Sequence, residues 1–231
     1  MPRLTTEAKR LRPLIFAAAE ASQAAMAVRI IVYHRDGAPA EYFPVTDAGW
    51  DLAAAACREY DTMVSPPAQF DQAHTVPNNV MYIGAGDLST EHIAPLTLGN
   101  GCYLYNLQVK INADSADDIV ALYGNTAGKS WTNTINAVVN QAGSGNATAF
   151  VDQGGLLNIY DTYLFASTSG AGMAIAAQVE ADGVVMLWNC ETHAETLAGS
   201  AYGVYRTLGT VYLIGGECLG TTAPFYNDLG E

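Results

Sequence analysis

The chain carries little charge for its length, and most of that charge has one sign. Only 14% of its 231 residues are Asp, Glu, Lys or Arg, against about 25% in an average soluble domain. Ten basic residues stand against 23 acidic ones, which gives a formal net charge of −13. Binding to nucleic acid or to an anionic membrane surface depends on lysine and arginine. We therefore expect neither nucleic acid nor membrane among the partners.

The sequence also lacks the patterns of a disulfide framework, a zinc site and a transmembrane helix. Its four cysteines lie far apart and form no Cys-x-x-Cys pair. No apolar run reaches the roughly 18 residues that a membrane-spanning helix needs. Phosphate-binding loops, nucleophile elbows and His-Glu-x-x-His motifs are absent from the sequence. We expect free thiols, no metal and no cofactor.

Charge is unevenly distributed between the beginning of the chain and the rest. Residues 1–60 contain seven of the ten basic residues and seven acidic ones, so the net negative charge lies in residues 61–231. Such a step in composition indicates two regions with different roles.

The first 75 residues read as a small α/β unit. An amphipathic pattern predicts a helix over residues 6–28, and β-rich runs predict strands over 28–34 and 40–45. A second helix is predicted over residues 51–64, opened by Asp47 or Asp51. The proline-rich stretch 65–79 then reads as a linker. Two domains follow from this division, an α/β anchor with its linker over 1–75 and a second domain over 76–231.

The second domain contains an internal repeat of about 27 residues. A turn-forming residue recurs at one place in each repeat, directly after a stretch of alternating apolar residues. A separate series of apolar residues recurs with the same period. The two series are Asn106, Asn133, Asp161, Asn189 and Gly215, and Leu122, Phe150, Ala177 and Val204.

Alternating residues in short segments between glycine- and asparagine-rich turns predict β-strands. One such repeat cannot bury its inner face alone, whereas stacked repeats bury a continuous core. The predicted fold is therefore mainly β, a right-handed parallel β-helix of about five coils. Residues two and four positions before each turn residue are predicted to face inward. Among them, Lys129 fits this inward position worst, and the segment KSWTNTI over residues 129–135 is the weakest repeat in general.

The alternate positions, one and three residues before each turn residue, are predicted to face outward. Several of these positions carry aromatic or other apolar residues, which would form an apolar stripe on one outer face. Such a stripe indicates an interface, which three copies packed around an axis would bury. A platform on which sugar rings stack is the alternative, and a register error of one residue would place the stripe in the core. The candidate interface or ligand residues are Tyr103, Tyr105, Tyr160, Met186, Trp188, Tyr212 and Ile214.

Two groups of acidic residues are candidates for catalysis or for metal binding. Glu191 and Glu217 occupy equivalent places in adjacent repeats, where stacking would bring them about 5 Å apart. Retaining glycosidases use two carboxylates at about that separation. Long acidic side chains on a solvated outer face are the simpler interpretation, and we expect no catalytic residues. A loop over residues 114–118 is similarly a weak calcium candidate or simply a polar loop.

Several segments resemble a known family. The pattern Gly-x-[Val/Leu]-x-[Ile/Leu/Val]-x-[Asn/Asp/Gly] occurs at 183–189 and 209–215, and LGNGCYLYNLQV occupies 98–109. These segments resemble bacteriophage virion fibre and tailspike proteins with a pectate-lyase-like right-handed parallel β-helix. The resemblance covers roughly residues 80–231.

The resemblance implies a homotrimer on the virion, assembled in the cytoplasm of the bacterial host. It also implies that residues 1–75 dock on other virion proteins. Enzymatic tailspikes carry many more coils, so about five coils suit a short fibre or a capsid or tail decoration protein better. Contact with polysaccharide on the host surface is a further expectation. The alternatives are a tailspike that degrades polysaccharide, as a lyase or hydrolase, and a glycan-binding adhesin.

Overall fold

A computed structural model describes residues 29–86 and 88–227 of the chain. Strands make up 57% of the structure, and the described residues contain one helix. The prediction of a mainly β protein is confirmed. The helix predicted over residues 6–28 lies outside the described residues.

The elements follow one another as short strands, then longer ones. Those between residues 29 and 97 are β1 (Arg29–Tyr33), β2 (Glu41–Pro44), α1 (Asp47–Ala56), β3 (Thr62–Val64), β4 (Ala68–Phe70), β5 (His74–Thr75), β6 (Met81–Ile83), β7 (Thr90–His92) and β8 (Leu96–Thr97). Those that follow are β9 (Tyr103–Ala113), β10 (Ile119–Tyr123), β11 (Lys129–Gln141), β12 (Ala147–Asp152), β13 (Leu156–Tyr160), β14 (Tyr163–Thr168), β15 (Ala174–Val179), β16 (Val184–Thr196), β17 (Ala201–Arg206), β18 (Thr210–Gly220) and β19 (Ala223–Asn227).

The strands form two sheets whose neighbours are successive turns of one coil. The larger sheet contains β3, β6, β9, β11, β16 and β18, with β13 and β14 together filling the place of one long strand. The smaller sheet runs from β5 through β8, β10, β12, β15 and β17 to β19. All pairings from β3 onward are parallel. The result is a parallel β-solenoid of about five turns with a period near 27 residues, as predicted.

The core follows the repeat that the sequence shows. Leu122 pairs with Phe150, Phe150 with Ala177, and Ala177 with Val204, so the second predicted series is one column of the smaller sheet. All four side chains are fully buried. Each coil therefore contributes one residue at this position to a continuous apolar core.

A column of left-handed backbone bends divides the long strands of the larger sheet. Residues at the bend have positive φ, where asparagine, aspartate and glycine are tolerated best. Each bend turns the strand, so the residues before it and those after it belong to two different outer faces. The bend residues are Asn106 (φ 60°), Thr134 (54°), Asp161 (47°), Asn189 (52°) and Gly215 (75°).

The bend in β11 lies at Thr134, and the prediction of Asn133 was wrong by one residue. Thr132 pairs with Leu104 and is fully buried, whereas Lys129 is exposed and Trp131 faces outward. The inward positions predicted for Trp131 and Lys129 are therefore wrong. The buried, alternating second half of the strand sets this register. It consists of Ile135, Ala137 and Val139.

The solenoid begins earlier than the sequence suggested. β4 and β5 lie within residues 65–79, where a linker was expected, and they pair with β7 and β8 of the next turn. Their strands have only two or three residues, so alternation is too brief to recognise. Prolines next to such short strands are tolerated at their ends.

The antiparallel hairpin β1–β2 extends the larger sheet, because β1 also pairs with β3. Helix α1 begins after Thr46, whose hydroxyl accepts a hydrogen bond from the Gly49 N–H at 3.0 Å. Of the two residues predicted to open this helix, Asp47 is the one that does so, and the predicted extension to residue 64 is wrong because the helix ends at Ala56. The side chain of Trp50 packs into the solenoid core and anchors the helix there.

The opposite end of the solenoid exposes apolar side chains. β18 pairs with β16 alone and β19 with β17 alone among the described strands. Leu213, at an inward position, is 46% exposed, and Phe225 is 39% exposed. Among the described residues, no helix is both long and apolar enough to cross a membrane.

Candidate functional site

The structure brings the seven predicted interface residues together on one outer face of the larger sheet. Two parallel columns run across the coils, and each residue is paired with its equivalent in the next strand. Buried residues alternate with them, among them Leu104 and Leu187. We call this surface the aromatic face. Its apolar and aromatic members are Tyr103, Tyr105, Tyr160, Met186, Trp188, Tyr212 and Ile214, together with Trp131, and Asn133 and Asn158 occupy the remaining positions of the two columns.

Trp131 belongs to this face because of the corrected register. It lies beside Tyr103 on one side and Asn158 on the other. Sequence reasoning missed it by choosing Asn133 as the bend residue. The alignment of Ile135 with Leu107 contains the signal that would have found it.

One pair of rings on the aromatic face stacks across neighbouring coils. Tyr160 stacks on Trp188 with 5.9 Å between ring centroids and 15° between ring planes. The Trp188 Nε1 atom is buried without a hydrogen-bond partner. Burial raises the pKa of Tyr103 to about 12, and the neighbouring Tyr105 adds to the shift. The Tyr103 hydroxyl therefore stays uncharged at neutral pH, as suits an apolar surface.

A cavity of about 430 Å³ opens beside the aromatic face, at its amino-terminal end. Turns from successive coils stack to form its wall: the Tyr60 N–H donates to the Asn79 carbonyl at 2.7 Å, and the Asn79 N–H to the Asn100 carbonyl at 2.8 Å. Trp131 connects the cavity with the aromatic face. The lining residues are Tyr60, Asn78, Asn79, Asn100, Gly101, Gly128, Lys129 and Trp131.

The candidate carboxylate pair lies on a different outer face, after the bend. Glu191 and Glu217 are in register on neighbouring strands, as the repeat predicted, and both are exposed. The nearby His193 ring packs edge-on against Phe165, with 5.4 Å between ring centroids. Burial and the Glu191 charge raise the pKa of Tyr163. The geometry is that of two solvated acidic side chains.

Sequence reasoning missed two histidines that bridge carboxylates near the amino-terminal hairpin and helix. His34 contacts Asp61 at 2.7 Å through Nδ1 and Glu41 at 3.0 Å through Nε2. His74 contacts Asp51 at 3.0 Å and Asp47 at 2.9 Å in the same way. Since carboxylates accept hydrogen bonds, both nitrogens of each ring donate when the ring is charged.

The partners of His34 shift its pKa. The hydrogen bond to Asp61 raises the pKa of His34 despite burial. Burial pushes the pKa of Asp61 upward, but N–H donors from Arg35 and Arg58, together with His34, outweigh it and lower that pKa. His34 directly follows β1 and Asp61 directly precedes β3, so this pair links two segments that lie 27 residues apart in sequence.

His92 is buried and uncharged. Burial lowers its pKa to about 3, and the neighbouring His74 lowers it further. Its Nε2 atom lies 3.0 Å from the hydroxyl of Tyr82, and its ring stacks on Phe70. These contacts make it part of the apolar core of the first coils.

Metal-binding arrangements are absent from residues 29–86 and 88–227, where no cluster of three or more His, Cys, Asp or Glu side chains is found. In the acidic loop, Asp118 accepts two hydrogen bonds from Asn146, at 2.9 and 3.1 Å. All four cysteines are free, as predicted, and burial raises the pKa of Cys57 and of Cys102 to about 12.

Comparison with protein-family models, curated proteins and solved structures finds no match for this chain.

Proposed function

We propose that this chain is a structural virion protein, without enzymatic activity, that assembles through its aromatic face. The observation that carries the proposal is the pair of outward columns that continue from coil to coil across the larger sheet. Apolar and aromatic side chains that recur on one outer face from coil to coil are typical of an interface. The protein would be a short β-helix fibre or a decoration protein of the capsid or tail.

A homotrimer suits the shape of this surface. The columns follow the solenoid axis, so identical copies placed side by side around a parallel axis bury the same face in each copy. The resemblance of the repeat to phage fibre proteins favours three copies. Stacked rings such as Tyr160 and Trp188 are held in place before assembly, which reduces the entropy lost on association.

Attachment to other virion proteins is proposed for residues 1–75. Residues 1–60 contain seven of the ten basic residues of the chain and seven acidic ones, so this segment lacks the excess of acidic residues found in the later coils. The solenoid beyond it carries the excess of acidic residues, which keeps a projecting structure soluble. The protein would thus reside in the virion after assembly in the bacterial cytoplasm.

The assembly proposal is tested on an unheated SDS gel. Wild-type protein is expected to migrate as a trimer, and Trp188→Ala as a monomer, because the substitution removes a large ring from the buried face. Monomeric migration of the wild type, together with a monomeric mass by light scattering, would contradict the proposal.

Polysaccharide degradation on a tailspike is the second candidate, favoured by the in-register pair Glu191 and Glu217. It is tested by incubating the protein with bacterial surface polysaccharide and measuring new reducing ends and new unsaturated sugars. Cleavage that disappears in Glu217→Gln, with the fold intact, would establish the enzyme and overturn the structural proposal. We expect no cleavage.

A further inference from the structure

We propose that the cavity beside Tyr60 binds a pyranose unit of a carbohydrate, with a preference for sugars that carry a carboxylate. The site goes beyond the proposed assembly, because one chain supplies all of its lining residues. It shares only Trp131 with the aromatic face, and the proposal requires that this edge of the face stays open when copies of the chain assemble.

The size and aromatic walls of the cavity fit a sugar ring. A volume of about 430 Å³ lies within the range of small-molecule sites, roughly 300–1,000 Å³. Tyr60 and Trp131 both line it, and the Tyr60 side chain is 56% exposed. The C–H groups on one face of a pyranose form an apolar surface, and an aromatic ring removes that surface from water.

Two asparagine amides are oriented to bind hydroxyl groups. The Asn78 Oδ1 atom accepts the Asn100 N–H at 2.8 Å, and the Asn100 Oδ1 atom accepts the Ala127 N–H at 3.2 Å. These bonds fix each amide through its oxygen. The Nδ2 groups of Asn78 and Asn100 have no partner among the described residues, so they remain available as donors. A sugar hydroxyl oxygen is a suitable acceptor.

The preference for an acidic sugar rests on Lys129, since the one carboxylate bonded to a lining residue among the described residues, that of Glu59, accepts a hydrogen bond from Asn79 at 3.4 Å. Lys129 lines the cavity, and its ammonium lies 5.3 Å from the centre of the Trp131 ring. Residues 61–231 contain three basic residues against sixteen acidic ones, so a lysine in a cavity is unusual for this region. An ammonium beside an aromatic wall attracts a carboxylate on the bound ring.

The backbone at Tyr60 supports a binding role. Tyr60 has φ 69°, while the neighbouring turn positions with positive φ, Asn79, Gly101 and Gly128, carry residues that tolerate this conformation. A bulky aromatic residue held there costs stability, and such residues cluster at functional sites. The guanidinium of Arg35 lies 4.9 Å from the centre of the Tyr60 ring and steadies it.

The test uses saturation-transfer NMR and calorimetry on the full chain with four probes: cellohexaose, chitohexaose, hexagalacturonate and a sialic acid tetramer. We expect saturation of at least one probe, strongest for an acidic one. Tyr60→Asn is expected to weaken the affinity for that probe by about tenfold or more, a loss of about 1.4 kcal/mol in binding free energy. The Tm of this variant is expected to stay equal to or above the wild-type value. Lys129→Ala is expected to weaken the acidic probes selectively.

The matched control is Tyr42→Asn, since Tyr42 is 58% exposed and does not line the cavity. This variant is expected to bind as the wild type does. Absence of binding by all four probes, or equal affinity in Tyr60→Asn and Tyr42→Asn, would overturn the proposal. The mass of each sample is measured alongside, so loss of binding and loss of the trimer are scored separately.

Discussion

The Tyr160 ring lies parallel to the Trp188 ring of the next coil, with 5.9 Å between their centroids. Their backbones pair in register, so the repeat itself aligns the two rings. Stacked aromatic pairs contribute about 0.5–1.5 kcal/mol beyond the area they bury. This pair is therefore an ordered part of the aromatic face.

A double-mutant cycle measures this contact. We expect Tyr160→Ala and Trp188→Ala to couple by about 0.5–1.5 kcal/mol in the free energy of unfolding. The control pair is Tyr163 and Phe165, which stack with the same 5.9 Å separation and 15° angle on the neighbouring face. A coupling near zero for Tyr160 and Trp188 in urea unfolding would show that this stacked pair contributes no stability.

Thr134 is the strained member of the bend column. It is β-branched with φ 54°, where the equivalent positions carry Asn, Asp or Gly. Strain of this type costs about 1–3 kcal/mol, and the substitution relieves it. The hydrogen bond that the Thr134 hydroxyl donates to Asn133 is lost at the same time, which offsets part of the gain, so we expect Thr134→Asn to stabilise the protein by about 1 kcal/mol. Thermal unfolding checks the change. The reverse substitution at the equivalent bend, Asn189→Thr, should lower the Tm, and a lower Tm for Thr134→Asn would contradict the account.

How far the fold could be read from sequence depends on the length of the strands. The column through Leu122 and Phe150 was predicted correctly because several coils repeat it with apolar residues. β4 and β5 were missed because strands of two or three residues show no periodicity. The bend in β11 was misplaced because Asn133 is the commoner residue type at positive φ, whereas the packing of Ile135 decides the register.

The cavity was beyond sequence reasoning altogether. Tyr60, Asn79, Asn100 and Trp131 come from four successive turns of the chain, and stacking alone brings them together. The histidine bridges were missed for the same reason, since His34 and Asp61 meet only after the hairpin folds onto the first coil.

His34 makes stability depend on pH. The raised pKa of His34 means that the folded state holds the proton more tightly than the unfolded chain. Its stabilisation is complete below the unfolded pKa of about 6.5 and is lost as pH rises through the higher folded value. We expect His34→Gln to lower the Tm more at about pH 6 than at about pH 9. An equal decrease at both pH values would contradict the charged bridge.

His92 acts in the opposite direction. Its pKa is lowered to about 3 by burial, so the unfolded chain binds a proton below about pH 6.5 and the folded chain does not. Stability should therefore fall by up to about 1.4 kcal/mol for each pH unit below 6.5. We expect His92→Leu to remove this component of the slope between about pH 6.5 and 5 in urea unfolding. An unchanged slope would show that His92 is protonated in the folded protein.

The solution mass of three proteins, measured side by side by multi-angle light scattering, tests the assembly proposal most directly. They are the wild type, Trp188→Ala and the matched control Phe165→Ala, which removes a stacked ring from the neighbouring face. We predict about three times the chain mass of 24.4 kDa for the wild type and Phe165→Ala, and a shift toward the single-chain mass for Trp188→Ala. A monomeric wild type, or a trimer that Trp188→Ala leaves intact, would contradict assembly through the aromatic face.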